Sequence, residues 1–223
     1  MKHFKITDLL IGLLFTLLFI SMAVVITINF RPLYYLDVTF LNIDTMSGLS
    51  KSEIIRNYNA LIDYSSPFFQ GALVFPTLAA SESGLSHFAD VKNIFTLFYY
   101  LGASSLVLGI IIIVYKVKKN DYSFLIVSSI TSIVLPVILA LFMAINFDKA
   151  FIVFHKIAFR NNDWLFDPST DPVINILPDT FFMHSALLII LIVLLLSILC
   201  ACVYFTKKKY FSIKYRDFDG IKL

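Results

Sequence analysis

Charge is scarce in this chain. Asp, Glu, Lys and Arg make up 15% of its 223 residues, against 59% that are hydrophobic. A water-soluble domain of this length carries about a quarter charged residues, so that class is excluded. Cysteine is scarcer still. Cys200 and Cys202 are the only two, and on a helix residues two apart face different sides. They lie near what reads as the inner end of an apolar run, where a reducing compartment disfavours a disulfide. They read as small apolar fillers, with palmitoylation as the alternative. The seven glycines form no nucleotide-binding pattern. No His-Glu-x-x-His zinc spacing and no Gly-x-Ser-x-Gly nucleophile elbow is present. The apolar runs hold no Asp, Glu, Lys, Arg or His at their centres. Intramembrane ionisable residues mark ion and proton paths, so their absence argues against a pump, an ion-coupled transporter or a voltage sensor. Paired Gly/Pro interruptions of the inverted-repeat kind are missing too.

What is present is four long apolar blocks: roughly Leu9–Phe30, Ile94–Tyr115, Phe124–Phe147 and Phe182–Phe205. A helix of about 20 apolar residues crosses a hydrocarbon core of about 30 Å. Backbone groups in lipid must be satisfied within the segment, and none of the blocks alternates as a barrel strand would. The expectation is an all-α polytopic membrane protein, a single membrane domain over 1–223 with four transmembrane helices. The first block follows Lys2 and Lys5 but is too long for a cleaved leader and lacks a small-residue cleavage site, so it reads as a retained signal anchor. Ser105 and Gly109 suit close helix approach, and Pro136 is expected to kink the third span. Ser128, Ser129, Thr131 and Ser132 can bond backbone or neighbouring helices.

Orientation follows from the basic residues. With both termini cytoplasmic, the N-terminal segment, the loop 116–123 and the tail 206–223 hold 11 basic and 4 acidic residues, including Lys116–Lys119 and Lys207–Lys209 at span ends. The outer segments 31–93 and 148–181 hold 7 basic and 11 acidic residues. The net charge of +3 is thus a matter of topology. The basic residues are split among three short segments, so no nucleic-acid partner is indicated.

Chemistry must then lie in the two outer segments, which are expected to carry short amphipathic helices. Tyr35–Leu41 is rich in aromatic and β-branched residues and reads as a short strand. Ser50 with Glu53 forms a capping-box signature, followed by Ile54, Ile55, Tyr58, Leu61 and Ile62 at helical spacing. This helix over Ser50–Tyr64 lies on the membrane surface or packs against its own protein. Ser86 reads as the N-cap of a helix running into the second span. His87 then sits at a helix N-terminus, where the partial positive charge favours a neutral imidazole, a base at neutral pH. Asp90 shares its face and can fix its tautomer; the plainer reading is a carboxylate that complements the helix dipole. Phe151, Phe154, His155 and Ala158 share another helical face, so His155 is either a bonded core residue or a site residue facing an apolar substrate. Arg160, Asn161, Asn162, Asp163 and Trp164 form a polar turn, in which Trp164 also suits interface anchoring. Asp179 reads as the N-cap of the fourth span, with His184 about a turn inside.

Three of the four histidines, His87, His155 and His184, therefore fall near one membrane surface; His3 is the exception. A cluster of this kind serves either acid–base chemistry or zinc ligation. Three readings stand on the residues alone: an acid–base enzyme, a zinc-dependent membrane hydrolase, and a non-enzymatic protein such as a bacteriocin-immunity or signalling partner.

Three strings narrow the choice. They are Ser86-His87-Phe88-Ala89-Asp90-Val91-Lys92, then Phe154-His155 through Phe159-Arg160-Asn161-Asn162-Asp163-Trp164 to Asp167-Pro168, then Asp171-Pro172 through Leu177-Pro178 to Phe181-Phe182. Together they resemble the lipoprotein intramolecular transacylase (Lit) family of Gram-positive bacteria. The resemblance implies a plasma-membrane acyltransferase with two essential histidines on the outer face, matching His87 and His155; it assigns nothing to His184. It implies that the sn-2 acyl chain of a lipoprotein's diacylglyceryl group moves to the α-amino group of the N-terminal Cys, giving a lyso-form lipoprotein. Ester to amide is downhill, so no cofactor and no metal is expected. The expected partners are diacylglyceryl-modified lipoproteins and membrane lipids. On this basis His155 is expected to act as base and His87 as acid, or the reverse, with a pH profile rising near the ordinary histidine range. Arg160, Asn161, Asn162 and Trp164 are candidate oxyanion donors. Asp90 and Lys92 are candidates for substrate or headgroup binding.

Overall fold

In the computed structural model, which describes residues 5–219, the chain is helical, with no strand among those residues. Eight α-helices and one 3₁₀ turn are described: α1 (Ile6–Asn29), α2 (Arg31–Phe40), α3 (Ile43–Ser47), α4 (Lys51–Tyr64), α5 (Glu82–Lys118), α6 (Ser123–Ile145), α7 (Phe147–Ala158), the turn Pro172–Ile176, and α8 (Asp179–Asp219). Four of them, α1, α5, α6 and α8, are long and apolar enough to cross a membrane. Lys2, His3 and Lys222 lie outside the described residues.

The chain forms two compact units, one from residues up to Ile20, Leu101–Leu139 and those from Ile190, the other from Ser21–Tyr100 and Ala140–Ile189. In the first unit, small residues let the helices approach. A side chain at Gly109 would meet Leu18 and Phe15 of α1, and Ser105, one turn earlier, is buried, as the small-residue pair predicted. Gly12 of α1 lies against Thr131 of α6. Thr16 Oγ1 is 3.2 Å from Thr131 Oγ1 and 3.1 Å from Ser132 Oγ. Pro136 is buried within α6, which is helical on both sides of it. Lys116 carries a charge that topology counting treats as a simple end marker. It is buried instead, its Nζ donating to Asp8 at 2.7 Å and Asp121 at 3.0 Å.

The second unit is built on aromatic packing. Tyr34 of α2 stacks on Tyr58 of α4 at 3.7 Å, and Phe181 of α8 meets both edge-on. The Tyr34 hydroxyl donates to the Ile176 carbonyl at 2.6 Å. Ile54, Tyr58 and Leu61 form the buried stripe of α4, so this helix packs against its own protein. Ser50 is its N-cap, Oγ accepting the Glu53 backbone N–H, which is one half of the expected capping box; the return bond from the Ser50 N–H to the Glu53 carboxylate is absent among the described residues. Asn57, fully buried, donates to Thr77 Oγ1 at 2.7 Å and accepts the Thr77 N–H at 3.2 Å, which ties down the loop after α4.

Two local expectations are corrected. Residues 35–40 are helical, not a strand. Pro32 sits in the first turn, where its fixed φ suits a helix, and Tyr34, Asp37 and Val38 make the buried face at helical spacing. Nor is Ser86 an N-cap. The helix begins at Glu82, and Ser81 takes the capping role, its Oγ accepting the Gly84 N–H at 3.0 Å. Asp179 is the first residue of α8 rather than its cap.

Candidate active site

The early start of α5 puts His87 in the second helical turn, ahead of the apolar span that begins near Ile94. Gly84 permits this start. A Cβ there would collide with the carboxylate of Asp171, which accepts the Ser81 N–H at 2.8 Å and anchors the first turn. From that turn His87 projects into an aromatic wall. Its ring centroid lies 4.7 Å from that of Phe159 and 5.4 Å from that of Phe166, and the residue is only 5% exposed. Its Nδ1 is buried and has no hydrogen-bond partner among the described residues. A polar atom left this way costs free energy comparable to a lost hydrogen bond.

His155 faces it, the ring centroids 6.0 Å apart. It is the one buried residue of α7, a helix started by Asn146, whose Oδ1 accepts the Lys149 N–H at 2.8 Å. Phe151, a turn earlier, lies 4.1 Å from the imidazole, and Trp164 lies 5.0 Å away. His155 Nδ1 is 2.8 Å from the Phe151 carbonyl oxygen. A carbonyl can only accept, so Nδ1 carries the proton and Nε2 holds the basic lone pair.

Both imidazoles are held neutral at physiological pH. Burial, reinforced by His155, pushes His87 down to about 4 against the opposing charges of Asp90 and Asp163. Burial also pushes His155 below the ordinary histidine range, with the Phe151 carbonyl and Asp179 pulling the other way. The neutral His87 expected from the sequence thus has a different cause, which is desolvation in an aromatic wall.

The other candidates divide. Asp90 bonds Asn161, whose Nδ2 donates to Asp90 Oδ2 at 2.9 Å, and so ties α5 to the turn after α7. Asn161 also accepts the Asp163 N–H on its side chain and the Trp164 indole N–H on its carbonyl, at 3.2 Å each. The indole N–H is therefore occupied, and it is the Trp164 ring that faces His155. A cavity of about 360 Å³ opens here, lined by Asp90, Asn93, Ile94, Phe159, Arg160 and Asn161. Asn162 lies in the exposed turn, its carbonyl accepting the Leu165 N–H. Lys92 is directed elsewhere: its ammonium donates to the Phe69 carbonyl at 3.0 Å and sits over the Tyr64 ring. His184 does not join the pair in a ligand cluster, and among the described residues no group of three His, Cys, Asp or Glu side chains is placed to hold a metal ion. It bonds Asp37 instead, Nδ1 lying 2.9 and 3.0 Å from the two carboxylate oxygens. Sequence reasoning missed this pair, because Asp37 was placed on a strand whose side-chain directions differ from those of the helix.

Four apolar helices and a pair of facing neutral imidazoles define a multi-pass membrane protein with the elements of an acid–base site. Comparison with known proteins gives the family. The family model for lipoprotein intramolecular transacylase Lit matches residues 9–182. The structure of the membrane-integral lipoprotein intramolecular transacylase Lit from Bacillus cereus is 41% identical, covers 93% of this chain and 98% of its own, and superposes with a TM-score of 0.89. Two structures of that protein with a histidine replaced by arginine or by alanine match at 41% and 40% identity. Each covers 93% of this chain, with 95% and 96% of its own covered and TM-scores of 0.82 and 0.83. No curated protein sequence matches. The chain belongs to the lipoprotein intramolecular transacylase family, and it is an acyltransferase of the membrane.

Proposed function

We propose that this protein moves the sn-2 acyl chain of a diacylglyceryl-modified lipoprotein to the α-amino group of the same N-terminal Cys, on the outer face of a Gram-positive plasma membrane. The observation that carries the reading is the facing pair: a buried His87 with an unpartnered Nδ1, 6.0 Å from a His155 whose tautomer is fixed. The free amine attacks the sn-2 ester carbonyl carbon. A C–N bond forms, and the tetrahedral adduct carries a proton on nitrogen and a negative charge on oxygen. His155 Nε2 takes the nitrogen proton. The C–O bond to the glyceryl oxygen then breaks, and the same proton, returned by the His155 imidazolium, makes the glyceryl hydroxyl. No proton is gained or lost overall. Nucleophile and ester belong to one molecule, so positioning supplies much of the rate and no acyl-enzyme is needed.

The low proton affinity of His87 modifies the role expected of it. Positive charge on His155 further disfavours a second cation, so His87 works as a neutral imidazole that donates a hydrogen bond to the developing oxyanion. Arg160 and Asn161, on the adjoining cavity, are candidates to assist there, and Asn162 lies in the same turn. Asp90, bonded to Asn161, holds the turn in register and offers its carboxylate to the α-amino group. Lys92, bonded to Phe69, suits the lipid headgroup region.

The test is a crossover experiment on purified protein. One lipopeptide carries an isotopically labelled sn-2 chain; a second, of different peptide sequence, is unlabelled. Mass spectrometry should find the label on the amine of the first peptide only. Label on the second peptide, or acyl chains drawn from labelled phospholipid, would contradict the intramolecular reading.

A further inference from the structure

The Asp37–His184 pair has no part in the chemistry above. Asp37 is 5% exposed in its side chain, while His184 is 33% exposed. Burying a carboxylate costs several kcal/mol and is a poor way to join two helices when apolar packing can do so. Helices α2 and α8 are already joined by Tyr34 against Phe181, so the pair is not needed for docking. What it does accomplish is to fix an imidazole. Both carboxylate oxygens lie within hydrogen-bond distance of Nδ1, so Nδ1 carries the proton in either charge state of the ring. Nε2 is then the atom left to meet another molecule, and a carboxylate behind an imidazole is how proteins aim such a nitrogen.

The location narrows the ligand. His184 is in the second turn of α8, and after Ser185 the residues Ala186-Leu187-Leu188-Ile189-Ile190 are hydrocarbon-like. At that depth a lipid's glyceryl and ester oxygens give way to its acyl chains. We propose that His184 is a substrate-binding residue whose Nε2 hydrogen-bonds a glyceryl oxygen of the diacylglyceryl substrate, with Asp37 as the positioning residue behind it. This rests on the family activity and not on which of His87 and His155 is the base. A membrane phospholipid presents the same glyceryl chemistry, so the experiment separates the two.

The experiment measures kcat and KM for lyso-product formation on a synthetic diacylglyceryl lipopeptide, in detergent micelles and with added diacyl phospholipid. His184→Asn keeps an N–H donor where Nδ1 was and deletes Nε2; His184→Gln places an amide near Nε2. The expected result is a KM raised roughly three- to tenfold in His184→Asn, the size of one lost hydrogen bond. With it go a near-normal kcat, an unchanged Tm, and recovery toward the wild-type KM in His184→Gln. Wild-type KM in His184→Asn would overturn the proposal, as would a loss that tracks a lowered Tm and is not recovered by His184→Gln, which is a structural tie. A change only in inhibition by phospholipid, with lipopeptide KM untouched, would assign the site to a bulk lipid and overturn it as well. The crossover outcome is independent of these results.

Discussion

At the scale of residues, desolvation sets the proton affinity of the histidine pair. His87 and His155 are ordinary imidazoles made poor proton acceptors by an aromatic surround of Phe151, Phe159, Phe166 and Trp164. The sign of the effect on rate follows. A ring whose affinity is lowered remains neutral as pH falls through the ordinary histidine range and protonates only below it. The sequence alone suggested a profile rising near that range; burial moves the imidazole limb lower. The remaining titrating reactant is the substrate amine, with a reference pKa of about 8. The pH–rate profile of the wild-type protein should therefore climb toward about 8, with any imidazole break falling below the ordinary histidine value of about 6.5. A break at 6.5 that disappears in His155→Ala assayed at its residual rate would show an unperturbed imidazole and contradict the packing described. The sequence singled out both histidines by their common outer level and by the family resemblance, not by spacing, and it did not show their shared surround, because Phe159 and Phe166 meet His87 across long separations that no local period reveals.

At the scale of elements, the four spans were legible because hydrocarbon imposes a single requirement, about 20 apolar residues, that composition meets visibly. The short helices were legible where a cap and a stripe coincide, as in α4, and misread where they do not. In α2 the aromatic and β-branched residues suggested a strand, while the signal that mattered was Pro32 followed by Tyr34 and Val38 at helical spacing. The start of α5 was misplaced at Ser86 because the earlier cap, Ser81, depends on Asp171 from 90 residues away. That dependence is testable. Gly84→Ala drives a methyl group into Asp171, an overpacking change of about 1–3 kcal/mol. It should lower both Tm and transacylase rate, because the same turn aims His87. A stable, fully active Gly84→Ala protein would show that the turn does not set the site.

At the scale of the whole molecule, charge is proposed to set orientation and the histidine pair to set activity. The proposed topology predicts that a reporter enzyme active only outside the cell works when fused near Ser65 or Asp167 and fails after Lys119 or Lys209. An active reporter after Lys119 would put both histidines on the wrong side for lipoproteins. Lys116 is a special case within the basic set, being buried between Asp8 and Asp121. Lys116→Ala would leave two buried carboxylates without their cation, a loss of about 3–5 kcal/mol for a broken buried pair, and should reduce the amount of folded protein in the membrane. The most direct test of the whole account is mass spectrometry of lipoprotein N-termini from cells carrying His87→Ala, His155→Ala or both, with membrane insertion verified for each. Each single substitution should cut lyso-lipoprotein formation on the order of 10²–10⁴-fold, and the double substitution should be no worse than either, because residues acting as a unit are strongly non-additive. Wild-type levels of lyso-lipoprotein in either single variant would contradict the account.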